Sequence, residues 1–335
     1  MVIQVFPYDC RFPSLPAMMH RPVSLEVPCL GQFGSGEWRV EGWTVDPVGY
    51  RAQLSVVLRH TVQARDAMTG TLGSKRFYVK LYADERGVNT LQTLHALGEH
   101  SRSRNGSLGM VRPVAYLDDM RALILEEAPG VSLETILNTC DDITPVLRDV
   151  ARALAGFNQE DLPPASRSWS LIDQLTVLEK SRVLLGWACP RLQSDVDAVA
   201  RRVVAGLEEV EARPTHRDLK IDHLFVDADG ITAIDLDSFA GADPLLDPAL
   251  LLARLMTMPG WLSSTGERAR EAATVFAREY FDCVPVGWRR RLPLHYAGAL
   301  LDVAVNSFHM QRPQWRDEVA ALVRHAGEAV RGNMP

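Results

Sequence analysis

The hydrophobic period of this chain changes partway along, and that change restricts it to folds built from two unlike parts. Before about residue 127 the pattern is that of strands. Leu54, Val56, Leu58 and Val62 alternate with polar or opposite-facing residues, the period of two that buries one face of a sheet. Asp46-Pro47-Val48-Gly49 reads as a turn ahead of this strand. The polar link Asp66 to Ser74 leads into a second strand at Phe77-Tyr78-Val79-Lys80-Leu81-Tyr82, giving an antiparallel meander. Leu91, Leu94 and Leu97 mark a helix, and strands follow around Val111 to Leu117 and Ala122 to Glu126. After Pro129-Gly130 helical spacing takes over. Thr144 is expected as an N-cap with Pro145 in the first turn, and Leu147, Val150, Ala151, Leu154 and Phe157 share one face. Further helices are expected at 170–187, 194–211 and from about 246 to the end, interrupted by one short strand pair near 224–235. The chain is therefore α+β. A first region spans residues 1–127, with an irregular Pro- and Gly-rich arm at 1–35, and a helical region spans 128–335.

Composition narrows the partners. Hydrophobic residues make up 47% and charged residues 23%, enough apolar side chain for a real core. A formal net charge of -6 argues against a nucleic-acid-binding protein, which needs a basic stripe. Cys10, Cys29, Cys140, Cys189 and Cys283 are scattered and unpaired by spacing, which fits a reducing compartment. The N-terminus lacks the basic and apolar run of a signal peptide, and no stretch of about 18 apolar residues occurs. The expectation is a cytoplasmic protein without membrane or nucleic-acid partners. The sequence does not specify an oligomeric state.

The chemistry concentrates in Thr215-His216-Arg217-Asp218-Leu219-Lys220-Ile221-Asp222-His223-Leu224-Phe225-Val226. The chain then turns at Asp227-Ala228-Asp229-Gly230 and continues as Ile231-Thr232-Ala233-Ile234-Asp235-Leu236-Asp237. Asp218 sits in a polar loop, and Asp235, 17 positions on, ends an apolar strand. Phosphoryl transfer uses two carboxylates in this way: one orients the attacking hydroxyl and accepts its proton, the other holds the metal that bridges the phosphates.

These loops, with Ala242-Asp243-Pro244-Leu245-Leu246-Asp247 after them, resemble the catalytic and metal loops of the aminoglycoside-phosphotransferase-like branch of the protein-kinase-like superfamily. Asp235 is followed by Leu-Asp rather than Phe-Gly, and no Ala-Pro-Glu follows, which favours small-molecule kinases over protein kinases. The resemblance covers roughly residues 40–260. It implies a bilobal fold, with a small antiparallel-sheet N-lobe that binds nucleotide and a larger helical C-lobe that carries the loops at 215–237. It implies ATP and magnesium, with manganese as an alternative, and a small hydroxylated acceptor such as a sugar, an amino alcohol or an aminoglycoside. By the same resemblance Asp218 is the catalytic base, Asp235 the principal metal ligand and Asp237 an additional one. Lys80, in Phe77-Tyr78-Val79-Lys80, is the phosphate-binding lysine. Glu126 and Ala128, within Leu123 to Gly130, are hinge residues that meet adenine through their backbone. Arg51, beside the Asp46 to Arg51 turn, is placed to reach phosphate. Asp247 is expected to tie the catalytic loop down, with His216 as its structural support. The acceptor is expected between the 170–211 helices and those after 250, where Asp141, Asp142, Glu208 and Glu209 hint at acidity.

Two positions depart from the family pattern. His223 stands where an Asn usually ligates the second metal, and imidazole suits magnesium poorly. A helix Glu to pair with Lys80 is also missing: Thr90 and Gln92 occupy the helix, with Glu85 and Glu99 at its edges. Both departures support a second reading, a nucleotide-binding pseudokinase with a regulatory or scaffolding role.

Overall fold

The computed structural model describes residues 5–101, 108–163, 166–258 and 267–334. In chain order these form α1 (Leu15–Met18), α2 (Val23–Leu30), β1 (Trp38–Arg51), β2 (Ser55–Asp66), β3 (Leu72–Leu81) and α3 (Arg86–Ser101). Then come β4 (Gly109–Met110), β5 (Pro113–Leu117), β6 (Ala122–Glu126), β7 (Val131–Ser132), α4 (Leu133–Thr139) and α5 (Thr144–Phe157). α6 (Leu171–Ala188), α7 (Gln193–Gly206), β8 (Arg213–Thr215), β9 (Leu224–Val226), β10 (Ile231–Ala233) and β11 (Ala240–Ala242) follow. The chain ends with α8 (Leu246–Met256), α9 (Glu267–Cys283), α10 (Leu292–Met310) and α11 (Trp315–Ala329). Two units divide the chain. The first comprises Met1–Ser103, Gly109–Pro129 and Thr232–Asp237; the second comprises Arg104–Leu108, Gly130–Ile231 and Ser238–Pro335.

The first unit is built on a five-stranded antiparallel sheet in the order β1-β2-β3-β6-β5. Val56, Leu58, Val62, Phe77, Val79, Leu81, Ala122 and Ile124 bury one of its faces. The cover for that face is the N-terminal segment: Phe12, Leu15, Met18, Leu25 and Cys29 are each no more than 2% exposed. The irregular arm expected at 1–35 thus carries two short helices and closes the core. Its apolar stripes, Leu15 with Met18 and Leu25 with Cys29, are too short to stand out as periodic among the prolines.

The turn expected at Asp46 to Gly49 is absent. Those residues lie inside β1, with register shifts at Val40/Gly42 and Pro47/Gly49. Pro47 is tolerated because β1 is an edge strand, where a missing N–H leaves no partner unpaired. The hairpin turns instead at Arg51–Leu54, where Leu54 N–H donates to the Arg51 carbonyl (2.9 Å) and Gln53 adopts φ +61°. Asp9, buried in the arm, pins this tip by accepting from Gln53 N–H (2.8 Å) and the Tyr50 hydroxyl (3.1 Å).

His60 is fully buried on the core face of β2, where its Nδ1 accepts from Trp43 Nε1 (3.0 Å). Burial pushes its pKa down to about 4. A base whose folded pKa lies below its unfolded value of roughly 6.5 gives full stability above that value and loses it as the pH falls towards 4. The expected loss across this window is about 2–3 kcal/mol. Urea unfolding at pH 7 and pH 4.5 reads it, and His60→Phe should remove this pH-dependent part; an equal slope in the variant contradicts the assignment.

The second unit is mainly helical. α5 buries Leu147, Val150, Ala151, Leu154 and Phe157. Its first residue is Thr144 itself, with Ile143 at the N-cap and Asp142 accepting from Thr144 N–H (3.0 Å). Two small strand pairs complete this unit: β8 with β11 through Thr215 and Ala240, and β7 with β9 through Val131 and Val226. Among the described residues, no helix is long and apolar enough to cross a membrane.

Candidate active site

In the first unit the chemistry gathers around Lys80. The alternation of β3 buries Val79 and Leu81 in the core, so Lys80 takes the opposite face. β10 pairs in parallel with β4 through Thr232 and Gly109, and Asp235 and Asp237 follow directly after it. Lys80 Nζ donates to Asp235 Oδ1 at 2.5 Å and pairs with Asp237 Oδ2 at 2.7 Å. Burial lowers the Lys80 ammonium pKa, but Asp235 and Asp237 outweigh it and hold the group above the ordinary lysine value. Asp237 Oδ1 also accepts from the Tyr82 hydroxyl (2.8 Å) and from Thr90 Oγ1 on α3 (3.2 Å). Asp235 takes φ +65°, a left-handed conformation costly for a side-chain-bearing residue and frequent at functional sites. The buried Leu236 side chain fixes the chain beside it.

A cavity of about 600 Å³ opens in the same unit, lined by Arg59, Thr61, Ser74, Arg76, Glu126 and Glu127 among others. Ser74 and Arg76 share the Lys80 face of β3, and Thr61 and Arg59 pair across from Arg76 and Tyr78. Glu126 thus lines this cavity, while its backbone N–H donates to the Arg112 carbonyl (2.9 Å). Ala128 is buried, and Arg51 lies exposed at the β1 hairpin tip. Arg59 and Arg76, which sequence pattern alone did not single out, fall on the Lys80 face of the sheet when residues are counted by twos back from Lys80 and across to β2.

In the second unit Asp218 is part-exposed, and its Oδ2 accepts from Lys220 Nζ at 2.8 Å. Its loop is held from below by Asp247, fully buried at the start of α8. Asp247 accepts from the backbone N–H groups of His216 (2.8 Å) and Arg217 (2.8 Å) and from Asn158 Nδ2 (3.3 Å). Arg217 sits at φ +68°, donates to the Ser238 carbonyl (3.0 Å) and stacks on the Trp169 ring, its guanidinium carbon 3.3 Å from the centroid. Burial pushes the Arg217 pKa down to about 10. Trp169 thus holds the loop that carries Asp218 through a cation–π contact with Arg217. His223 is buried, its ring centroid 5.7 Å from that of His216.

A second cavity, of about 170 Å³, lies between α6, α7, α8 and α10 and is lined by Trp169, Gln174, Ser181, Arg217, His295 and Asp302 among others. His295 is fixed by Gln174 (3.1 Å) and Asp243 (2.9 Å), and Asp243 also pairs with Arg291 (3.0 Å). Two of the four acidic residues expected near the acceptor make backbone contacts at helix starts. Asp142 accepts from Thr144 N–H at the start of α5 (3.0 Å), and Glu209 accepts from Leu171 N–H at the start of α6 (3.1 Å).

Among the described residues no group of three His, Cys, Asp or Glu side chains forms a metal cage. Magnesium does not need one, since it commonly binds one or two carboxylates and takes its other ligands from phosphate and water. Asp235 suits that role, being a hard oxygen donor at the end of a strand beside the lysine.

The model of the phosphotransferase enzyme family (APH) matches residues 59–294. No curated protein is similar enough in sequence to count as a match. Among solved structures, amicoumacin kinase hAmiN in complex with AMP-PNP, Ca2+ and Ami is 14% identical, with a TM-score of 0.55 over 95% of this chain and 96% of that one. Choline kinase from Cryptosporidium parvum Iowa II is 10% identical, with a TM-score of 0.54 over 86% and 89% of the two chains. A choline/ethanolamine kinase family protein from Mesorhizobium loti is 11% identical, with a TM-score of 0.52 over 87% and 93%. These likenesses carry the fold, which is the protein-kinase-like one.

Proposed function

Because the chain belongs to the phosphotransferase enzyme family, and so is a small-molecule kinase acting on a hydroxyl group, we propose that it moves the γ-phosphate of ATP to a small hydroxylated amine. The observation that carries the nucleotide half is the half-buried Lys80 with Asp235 and Asp237 around it. Lys80 would bind the nucleotide phosphates as a fixed positive charge. Magnesium on Asp235 would neutralise charge on those phosphates when bound. Asp218 accepts the proton of the acceptor hydroxyl at a carboxylate oxygen, and Lys220 holds that carboxylate in one orientation. Little covalent work falls to the protein, so positioning and charge supply most of the acceleration.

The acceptor is assigned to the cavity of about 170 Å³ in the second unit. Asp302 lines it without a hydrogen bond or ion pair to any described residue, and burial pushes its pKa up although Arg254 and Lys220 pull it down. An acceptor ammonium supplies the missing counter-charge, as choline would by its chemistry. The test is ADP release over a panel of amino alcohols, uncharged sugars and aminoglycosides. An amino alcohol should turn over, and Asp302→Asn should raise its KM by roughly 10-fold or more with kcat little changed. Preference for an uncharged sugar would remove the amine assignment, and nucleotide binding without turnover on any acceptor would favour the pseudokinase reading.

A further inference from the structure

Resting on the nucleotide-binding reading of Lys80, we infer that Asp237 is not a metal ligand but the positioning residue for Lys80, docked on β3 and α3 through Tyr82 and Thr90. The two carboxylates beside the lysine are held differently. Asp235 Oδ1 accepts from Lys80, and its side chain is 32% exposed; Asp237 is 23% exposed and meets three donors. Its Oδ2 faces Lys80 Nζ, and its Oδ1 faces the hydroxyls of Tyr82 and Thr90. Thr90 has one proton to give and also lies 3.0 Å from the Arg86 carbonyl, so Tyr82, 5% exposed and 2.8 Å away, is the firmer anchor. Turning this carboxylate towards a cation would pull Oδ1 away from the Tyr82 and Thr90 hydroxyls, and a buried donor left unpaired is costly. Asp235 is the more solvent-exposed of the two carboxylates.

Lys80 itself requires this arrangement. Its side chain is 16% exposed, and a charge so placed needs a fixed counter-charge. When Asp235 serves the metal, Asp237 remains to keep Lys80 charged and aimed. It comes from the loop after β10, and among the described residues of α3 it is Thr90 that lies within hydrogen-bond distance of it. Thr90 Oγ1 is 3.2 Å from Asp237 Oδ1, so a longer, acidic side chain at this position of α3 would extend into the space the Asp237 carboxylate occupies.

The test is nucleotide binding by the full chain, titrated calorimetrically in EDTA and at several magnesium concentrations. Asp237→Asn should weaken ADP and ATP binding roughly 10-fold in EDTA and at saturating magnesium alike, leaving the magnesium midpoint unchanged. Tyr82→Phe should act in the same direction by roughly threefold, a check that does not depend on Asp237→Asn folding well. Asp237→Ala with Thr90→Glu should recover most of the affinity that Asp237→Ala loses. Normal affinity in EDTA combined with a raised magnesium requirement would make Asp237 a metal ligand and overturn the inference. Failure of the Thr90→Glu rescue together with an unaffected Tyr82→Phe would also overturn it. Absence of nucleotide binding by the unaltered protein would remove the reading of Lys80 as well, whereas binding that ignores all three variants removes this inference alone.

Discussion

Asp218→Asn should cut turnover by about 10³-fold while changing nucleotide affinity no more than about twofold. The substitution keeps the size of the side chain and its contact with Lys220 but removes the lone-pair basicity that takes the acceptor proton. A positioned general base contributes roughly 10²–10⁴-fold, and a loose transition state in which the proton moves late places the effect within that range. Asp218 lies in the second unit and the Lys80 cluster in the first, so the nucleotide phosphates keep their own partners. Steady-state ADP release with the best acceptor, set beside a calorimetric titration of ATP, reads both quantities. Turnover within threefold of the unaltered enzyme would remove Asp218 from the mechanism.

Asp247→Ala should carry the largest stability cost of any single substitution around the catalytic loop. Asp247 is 0% exposed and accepts from two backbone N–H groups and one side-chain amide. Removing it leaves the His216 and Arg217 N–H groups without their acceptor and takes one of the two acceptors of Asn158 Nδ2, at about 1–3 kcal/mol each, partly relieved by water entering the gap, for a net loss of about 3–5 kcal/mol. Asn158 extends the network, since it donates to the Pro214 carbonyl (2.9 Å) and accepts from the Tyr280 hydroxyl (3.0 Å). Tyr280→Phe, which removes only the outermost member, should cost about 1–2 kcal/mol. Any folded Asp247→Ala protein should also be a poor catalyst, because Arg217 loses the acceptor that holds its left-handed backbone beside Asp218. Chemical unfolding of the two variants tests the ranking. Equal stabilities would mean that Asp247 does not anchor the loop.

Sequence legibility followed the length scale of the causes. The strand around Phe77 to Leu81 and the helix Thr144–Phe157 show in their own periodicity, because Phe77, Val79 and Leu81 bury one strand face and Leu147, Val150, Ala151, Leu154 and Phe157 one helix face. Family resemblance carried the fold as far as the two loops. Where tertiary contact overrode local pattern, the sequence misled. Asp46-Pro47-Val48-Gly49 has turn chemistry yet extends along an edge strand, because Asp46 pairs with Arg59 (3.0 Å) and the strand bulges around Pro47. The residues 1–35 were opaque because their helices are short and are fixed only by the sheet they cover. Motif order anticipated that Asp247 ties down the 216–218 loop, as its bonds to the His216 and Arg217 N–H groups show. The partner of Lys80 was not legible in this way: it was sought on the helix, and the structure supplies it from the loop after β10, 157 positions on in sequence, with Tyr82 and Thr90 as supports. No local spacing encodes such a contact.

The most direct test of the central claim is to incubate the full chain with ATP, magnesium and the amino-alcohol panel and follow phosphorus by NMR. The account predicts a new phosphate monoester on one acceptor, formed in step with ADP and absent in the Asp218→Asn variant. Consumption of ATP to inorganic phosphate alone, or no consumption with any acceptor, would contradict it.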